Sequence, residues 1–209
     1  FLAGTAIDMP AGPSEVLVIA DPEANPQWIA ADLLAQAEHG PDSQVVHIGT
    51  DLEQLRMVNQ AVERQLSQLP RQETAQRALL NSHLVLVKDL KEAFALSNRY
   101  APEHLILALK EPHQFVPQVQ TAGSVFLGYH ACESLGDYAS GPNHTLPTAG
   151  FARAFSGIKV SSFQKEISFQ AVNAQALQKL GPLVECMARA EGLTAHERAV
   201  SVRLESLPS

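Results

Sequence analysis

The sequence is short of the features that mark secreted, membrane-spanning or nucleic-acid-binding chains. It has only two cysteines, Cys132 and Cys186, among 209 residues. They lack the spacing of a zinc ribbon or a redox pair and read as reduced thiols of a cytoplasmic protein. No apolar run approaches the ~18–20 residues of a membrane span; the longest, such as Glu15–Ala20, have strand length. Positive charge is scarce too: 15 Lys and Arg against 22 acids give a formal charge of −7. That balance argues against binding nucleic acid or an anionic membrane, which reward basic stripes. No G-x-G-x-x-G follows a strand, and no G-x-x-x-x-G-K-[ST], G-x-S-x-G or H-E-x-x-H occurs. Esterase and zincin readings are thereby disfavoured. No secretory signal is read at the start, and the first residues are Phe1-Leu-Ala-Gly rather than Met. A fragment or a processed product is expected.

What is present is a chain 45% hydrophobic, enough to bury the core of one large domain or of a domain with an appendage. Glu15–Ala20 suits a buried strand. Asn25-Pro26 reads as N-cap and first helical residue of a helix that continues through Trp28, Ile29, Leu33 and Ala37 to Gly40-Pro41. Gln44–Ile48 is a second strand, and Thr50 with Glu53 forms a capping box before a helix with Leu55, Val58, Val62, Leu66 and Leu69 inward. A helix near Glu73–Leu80, a strand at His83–Val87, a helix at Asp89–Arg99 and a strand at His104–Leu107 follow. Then come a short helix at Gln114–Thr121 and a strand at Ser124–Leu127. This alternation predicts an α/β fold with a mostly parallel, Rossmann-like sheet and helices on both faces. Ligands of such sheets sit beyond the carboxyl ends of the strands. Gly128–Gly150, rich in Gly, Pro, His and Asn, is expected to be an irregular functional segment. Beyond Lys159–Phe163 a helical tail is expected: Ser168–Leu180, Pro182–Ala190 and Ala195–Leu207, the last opened by a capping box of Thr194 and Glu197.

Four constellations can carry chemistry. Gln36 and His39 lie at i, i+3 on one helical face, in a last turn where the dipole favours a cation. Tyr100-Ala-Pro-Glu103-His104 places an acid and an imidazole directly before a strand, their side chains expected on opposite sides of the extended chain. Glu133 to His144 puts Asp137 in the Gly/Pro-rich segment, as a metal ligand or as a turn-capping acid. His196 opens the last helix, where the dipole would keep it neutral and fit for a metal. From spacing alone a surface histidine or a solvated loop explains each as well.

Together the segments resemble the histidinol dehydrogenase family. The matching stretches are Asp8-Met-Pro-Ala-Gly-Pro-Ser14-Glu, Ala31-Asp-Leu-Leu-Ala-Gln36-Ala-Glu-His39 and Tyr100-Ala-Pro-Glu103-His104. Gly123–Gly128, Gly136-Asp137-Tyr, Ser140-Gly-Pro-Asn-His144 and Glu191-Gly-Leu-Thr-Ala-His196 complete them. The resemblance implies oxidation of L-histidinol to L-histidine in two NAD-dependent hydride transfers through a bound aldehyde. It implies a zinc ion on Gln36, His39, Asp137 and His196 that anchors the substrate. His104 would be the general base and Glu103 the activator of water, with Ser14, His144 and Glu191 lining the substrate pocket. It further implies a homodimer with an exchanged tail, so that His196 and Glu191 reach the other copy's site.

Family members are about twice this length, so the chain is expected to be the C-terminal half. Residues 1–13 would connect to a missing half that holds most of the NAD site, 14–158 would form the α/β domain and 159–209 the dimerisation tail. No NAD-binding residue is expected in this chain, which alone would be inactive. A zinc-dependent module that binds an imidazole ligand without redox chemistry is the alternative, and a structural dimerisation domain a third reading.

Overall fold

In the computed structural model, which describes residues 9–207, the apolar run Glu15–Ala20 is strand β1, buried along its whole length. A strand can be apolar at every position only if both faces are covered. Val16, Val18 and Ala20 point into a core with Ile29, Leu33, Val58, Val62 and Ala75. These come from α1 (Pro26–Ala37), α2 (Leu52–Leu66) and α3 (Gln72–Leu79). Leu17 and Ile19 point the other way, to Val46, Ile48, Leu105, Leu107 and Phe94, the last from α4 (Leu90–Tyr100). Each fully buried leucine or isoleucine contributes about 1.5–3 kcal/mol.

Beside β1 lie β2 (Gln44–Gly49), β3 (His83–Leu86), β4 (His104–Ala108) and β5 (Ser124–Leu127). The order is β3-β2-β1-β4-β5 and every neighbouring pair is parallel. The chain therefore winds outward from β1 in one direction, returns, and winds out in the other, the doubly wound topology. Val16 pairs with Val45 on one side and His104 on the other, which sets the amino ends of β1 and β4 side by side.

Local chemistry shifts several boundaries. Asn25 caps α1 through the Gln27 amide, with Pro26 in the first turn. The cap of α2 is Asp51 rather than Thr50: its carboxylate accepts from the Gln54 amide at 2.7 Å, and Asp caps at least as well as Thr. Instead of a helix at Gln114–Thr121 there is a 3-10 turn over Pro112–Gln118, where Pro117 has no N–H to close an α-turn. The segment Gly128–Gly150 is not irregular throughout, since Glu133–Tyr138 forms helix α5.

The chain divides into two compact units, with the boundary between Phe163 and Gln164. The first eight residues of the expected connector lie outside the described residues, as do the last two of the tail. The second unit is a helical hairpin of α6 (Ala174–Ala190) and α7 (Thr194–Glu205). Helix α6 runs through Pro182, where two helices were expected. Gly181 precedes that proline and has no Cβ to clash with its ring, and a Cβ there would come within 2.7 Å of Leu204 Cδ1. Thr194 does not cap α7: the N-cap position is Leu193 and has no side-chain cap. Glu197 pairs with Arg189 instead, at 2.5 Å.

Candidate active site

Helix α1 runs back from the carboxyl edge of the sheet, so its last turn reaches the amino edge and carries Gln36 there. Pro102 and the bend at Glu103 lead into β4 at His104. Glu15 opens β1 in the neighbouring register. Helix α5 adds Glu133 and Asp137, one turn apart on a common face. It sits close because Gly136 has no side chain: a Cβ there would collide with the Phe126 ring, which in turn lies 6.0 Å from the His104 ring.

These residues form a buried cluster. His104 is 3% exposed, Glu103 6%, Glu133 2% and Gln36 0%. His104 Nδ1 lies 3.0 Å from the Glu15 carbonyl oxygen. A carbonyl only accepts, and its contact is shorter than the 3.3 Å approach of the Gln36 amide nitrogen to the same atom, which favours the proton on Nδ1 and the lone pair on Nε2. That Nε2 is buried without a hydrogen-bond partner and faces Asp137 Oδ1 at 3.8 Å. Glu103 Oε2 accepts from the Glu15 amide at 2.9 Å and lies 3.6 Å from His104 Nδ1. The expectation that Glu103 and His104 point to opposite sides is therefore corrected: both converge on Glu15. Pleat alternation begins only with the strand, and Glu103 stands in the bend before it.

The hydrogen-bonding surroundings orient the Gln36 amide. Its nitrogen donates to both Glu133 oxygens at 2.7 and 2.9 Å, and the other end of the amide lies 3.4 Å from His39 Nδ1. An oxygen and an imidazole nitrogen converge there, as two ligands of one metal would. The ligating atoms of His104, Glu133 and Asp137 lie within 4.8 Å of one another. Carboxylate, amide and imidazole donors suit zinc, and a bare, buried imidazole nitrogen is an available ligand or base.

Electrostatics point the same way. Burial, reinforced by the Asp137, Glu103 and Asp32 carboxylates, pushes Glu133 up to about 9. Burial raises Glu103 to about 7, with the charges of Glu15 and Asp137 adding to the shift and the Glu15 amide opposing it. Glu15 is raised as well, mainly by burial. His104 is lowered, chiefly by burial, and stays neutral. Crowded acids in a desolvated pocket favour any bound positive charge.

The cluster stands at the amino ends of β1 and β4, not at the carboxyl ends where ligands of doubly wound sheets are expected. At the carboxyl ends the Asp21 carboxylate is saturated. It accepts from the Lys110 amide at 2.8 Å, the Tyr129 hydroxyl at 2.8 Å and the Glu23 amide at 3.1 Å. Of the residues singled out from sequence, Gln36, His39, Glu103, His104 and Asp137 come together. Ser14 is half-buried beside them, its carbonyl accepting from the Gln44 amide. His144 is exposed, and Glu191 and His196 are exposed on the second unit. Glu15 and Glu133 were given no role from the sequence. An acid opening an apolar strand was a legible signal for Glu15, whereas Glu133 lay in a segment read as irregular.

Fold and cluster define a doubly wound α/β domain with an acid–imidazole centre competent for a metal and for proton transfer. A family model described as histidinol dehydrogenase matches residues 2–204, and the chain belongs to that family. It is 56% identical over 203 residues to histidinol dehydrogenase of Xylella fastidiosa (strain 9a5c), covering 97% of this chain and 47% of the relative. With the Shewanella oneidensis enzyme identity is 54% over 202 residues, 97% of this chain and 46% of the relative. The crystal structure of histidinol dehydrogenase from Elizabethkingia anophelis superimposes with a TM-score of 0.95 at 56% identity, covering 99% of this chain and 48% of that one. The chain thus spans about half the length of the curated relatives it matches.

Proposed function

We propose that this chain carries most of the active site of a histidinol dehydrogenase. The reaction is the NAD-dependent oxidation of L-histidinol to L-histidine through L-histidinaldehyde, the last step of histidine biosynthesis in the cytoplasm. The observation that carries the reading is the bare, buried Nε2 of His104 facing Asp137, with Glu103 at the other ring nitrogen, in a chain of this family.

The Glu15 carbonyl holds the His104 tautomer, so Nε2 is the atom that takes the alcohol proton as a hydride leaves the carbinol carbon. Glu103, raised to about 7, is matched to take a proton from the water that adds to the aldehyde. The second hydride then leaves the hydrate and gives the acid. Gln36, His39 and Asp137, with His196 of a second copy, would hold zinc, which when bound anchors the imidazole and amino nitrogens of the substrate. Glu133 fixes the Gln36 amide with its oxygen turned toward His39. Ser14, His144 and Glu191 line the pocket in this reading, the last from the second copy. NAD, when bound, would supply the hydride acceptor, and in this reading its site lies mainly in the length of the relatives that this chain does not span. Exposed apolar side chains on α6, Leu180, Leu183, Val184 and Met187, support a homodimer built through the tail.

The test uses full-length protein. His104→Asn lowers kcat by about 10²–10⁴-fold with zinc content unchanged, and His39→Ala loses zinc and histidinol binding together. A zinc-loaded protein that binds histidinol but forms no NADH would be the redox-silent binding module instead.

A further inference from the structure

Trp28, Ala31, Asp32 and Ala35 recur at i, i+3, i+4 and i+7 along α1 and so share one face. With Tyr129, His130 and Ser134 they line an open cavity of about 460 Å³. The two alanines leave the room. Trp28, 45% exposed, tilts against the His130 ring with centroids 5.2 Å apart, which makes an aromatic wall. Asp32 is half-buried, and no described residue donates a hydrogen bond to it or pairs with it. Burial alone raises its carboxyl, to about 7.

The oxidation described above gives these groups no chemical step, although the Asp32 charge adds to the upward shift of Glu133. A partly desolvated carboxylate without a partner is costly, and an indole face attracts cations. We propose that this cavity binds a guanidinium group, its charge on Asp32 and its plane against Trp28. Guanidinium fits better than ammonium, because it is planar, weakly hydrated and bidentate toward a carboxylate. A metal fits poorly: among the described residues the group of three close ligating side chains is His104, Glu133 and Asp137, outside this cavity. The guanidinium has two possible sources, a free small molecule or an arginine in the part of the relatives' length that this chain does not span.

Trp28 is the sole tryptophan, so its emission reports on the cavity. Ethylguanidinium chloride is titrated into the 209-residue chain against sodium chloride of equal strength, with calorimetry in parallel. The expected result is a saturable change beyond the salt control, weakened about tenfold or more in Asp32→Asn at unchanged circular dichroism. The same titration on full-length protein separates the sources. Saturation there identifies a site for a free guanidinium compound. Its loss there, with binding kept in the 209-residue chain, identifies an arginine already seated. No saturable binding to either protein, or equal affinity in wild type and Asp32→Asn, overturns the proposal.

Discussion

The two edges of the same sheet use carboxylates in opposite ways. At the carboxyl edge Asp21 meets only donors: two backbone amides, the Lys110 amide among them, and the Tyr129 hydroxyl. At the amino edge Glu15, Glu103, Glu133 and Asp137 crowd one another around His104, and Glu15 Oε2 and His104 Nε2 are buried without a partner. Saturation marks a carboxylate that holds structure together, because removing one of its donors leaves nothing chemically available. Orphaned atoms alone mark no site, since His47 Nε2, Gln54 Oε1 and Ser97 Oγ are also buried without a partner; what sets the amino edge apart is an unpartnered imidazole nitrogen among crowded acids. In this chain the Asp21 carboxylate at the carboxyl edge is taken up by hydrogen bonds, and the crowded acid–imidazole cluster stands at the other end of the strands.

The largest expected contrast is functional. In full-length protein His104→Asn lowers kcat by about 10²–10⁴-fold, while Asp21→Asn leaves kcat within about twofold and costs about 1–3 kcal/mol of stability. Steady-state NADH formation and urea unfolding read the two effects. Comparable losses of kcat would erase the distinction between the edges.

Next is a pH effect from the middle of the sheet. Burial holds the His47 imidazole down to about 4 against an ordinary 6.5, although its Nδ1 bonds the Val18 carbonyl. Between these values the unfolded chain binds a proton that the folded chain refuses. The stability associated with neutral His47 is therefore complete above pH 6.5 and is lost as pH falls toward 4, by about 3 kcal/mol. In His47→Asn the urea midpoint should fall less between pH 7 and 4.5 than in wild type. Parallel curves for the two proteins would sink this assignment.

A smaller effect sharpens the comparison at α5. Gly136→Ala puts a methyl into the Phe126 ring, costs about 1–3 kcal/mol and displaces Glu133 and Asp137. Zinc retention, measured by chelator competition, should drop in Gly136→Ala and hold in Leu135→Ala, which alters a half-exposed side chain of the same helix. Equal retention would mean that α5 does not set the cluster.

The two units differ as much as the two edges do. In the first, alternate residues of β1 feed two cores. In the second, Gly181 and Ala188 are the buried residues of the two helices, and much of the apolar surface of α6 stays exposed. A helical pair of this kind gains little from burial by itself, which is why its apolar stripe reads as a surface to be covered.

Hydrophobic period, Pro and Gly punctuation and N-cap chemistry are local properties. They therefore disclosed β1, β2, β4, β5, α1 and α4 to within a residue or two, and with them the α/β class. They failed where two local signals compete. Asp51 outcompeted Thr50 for the cap of α2, Gly181 let α6 pass Pro182, and a Gly/Pro-rich composition hid the six residues of α5. The family resemblance, more than spacing, picked out Gln36, His39, Glu103, His104 and Asp137, since each residue type alone also fits a surface or loop position. Only the tertiary structure decided that Glu15 and Glu133 join them, that Glu103 and His104 point to one place, and that the cluster stands at the amino edge. Those facts depend on strand order and register, which bring residues nearly ninety positions apart within 3 Å, and no local pattern encodes such a pairing.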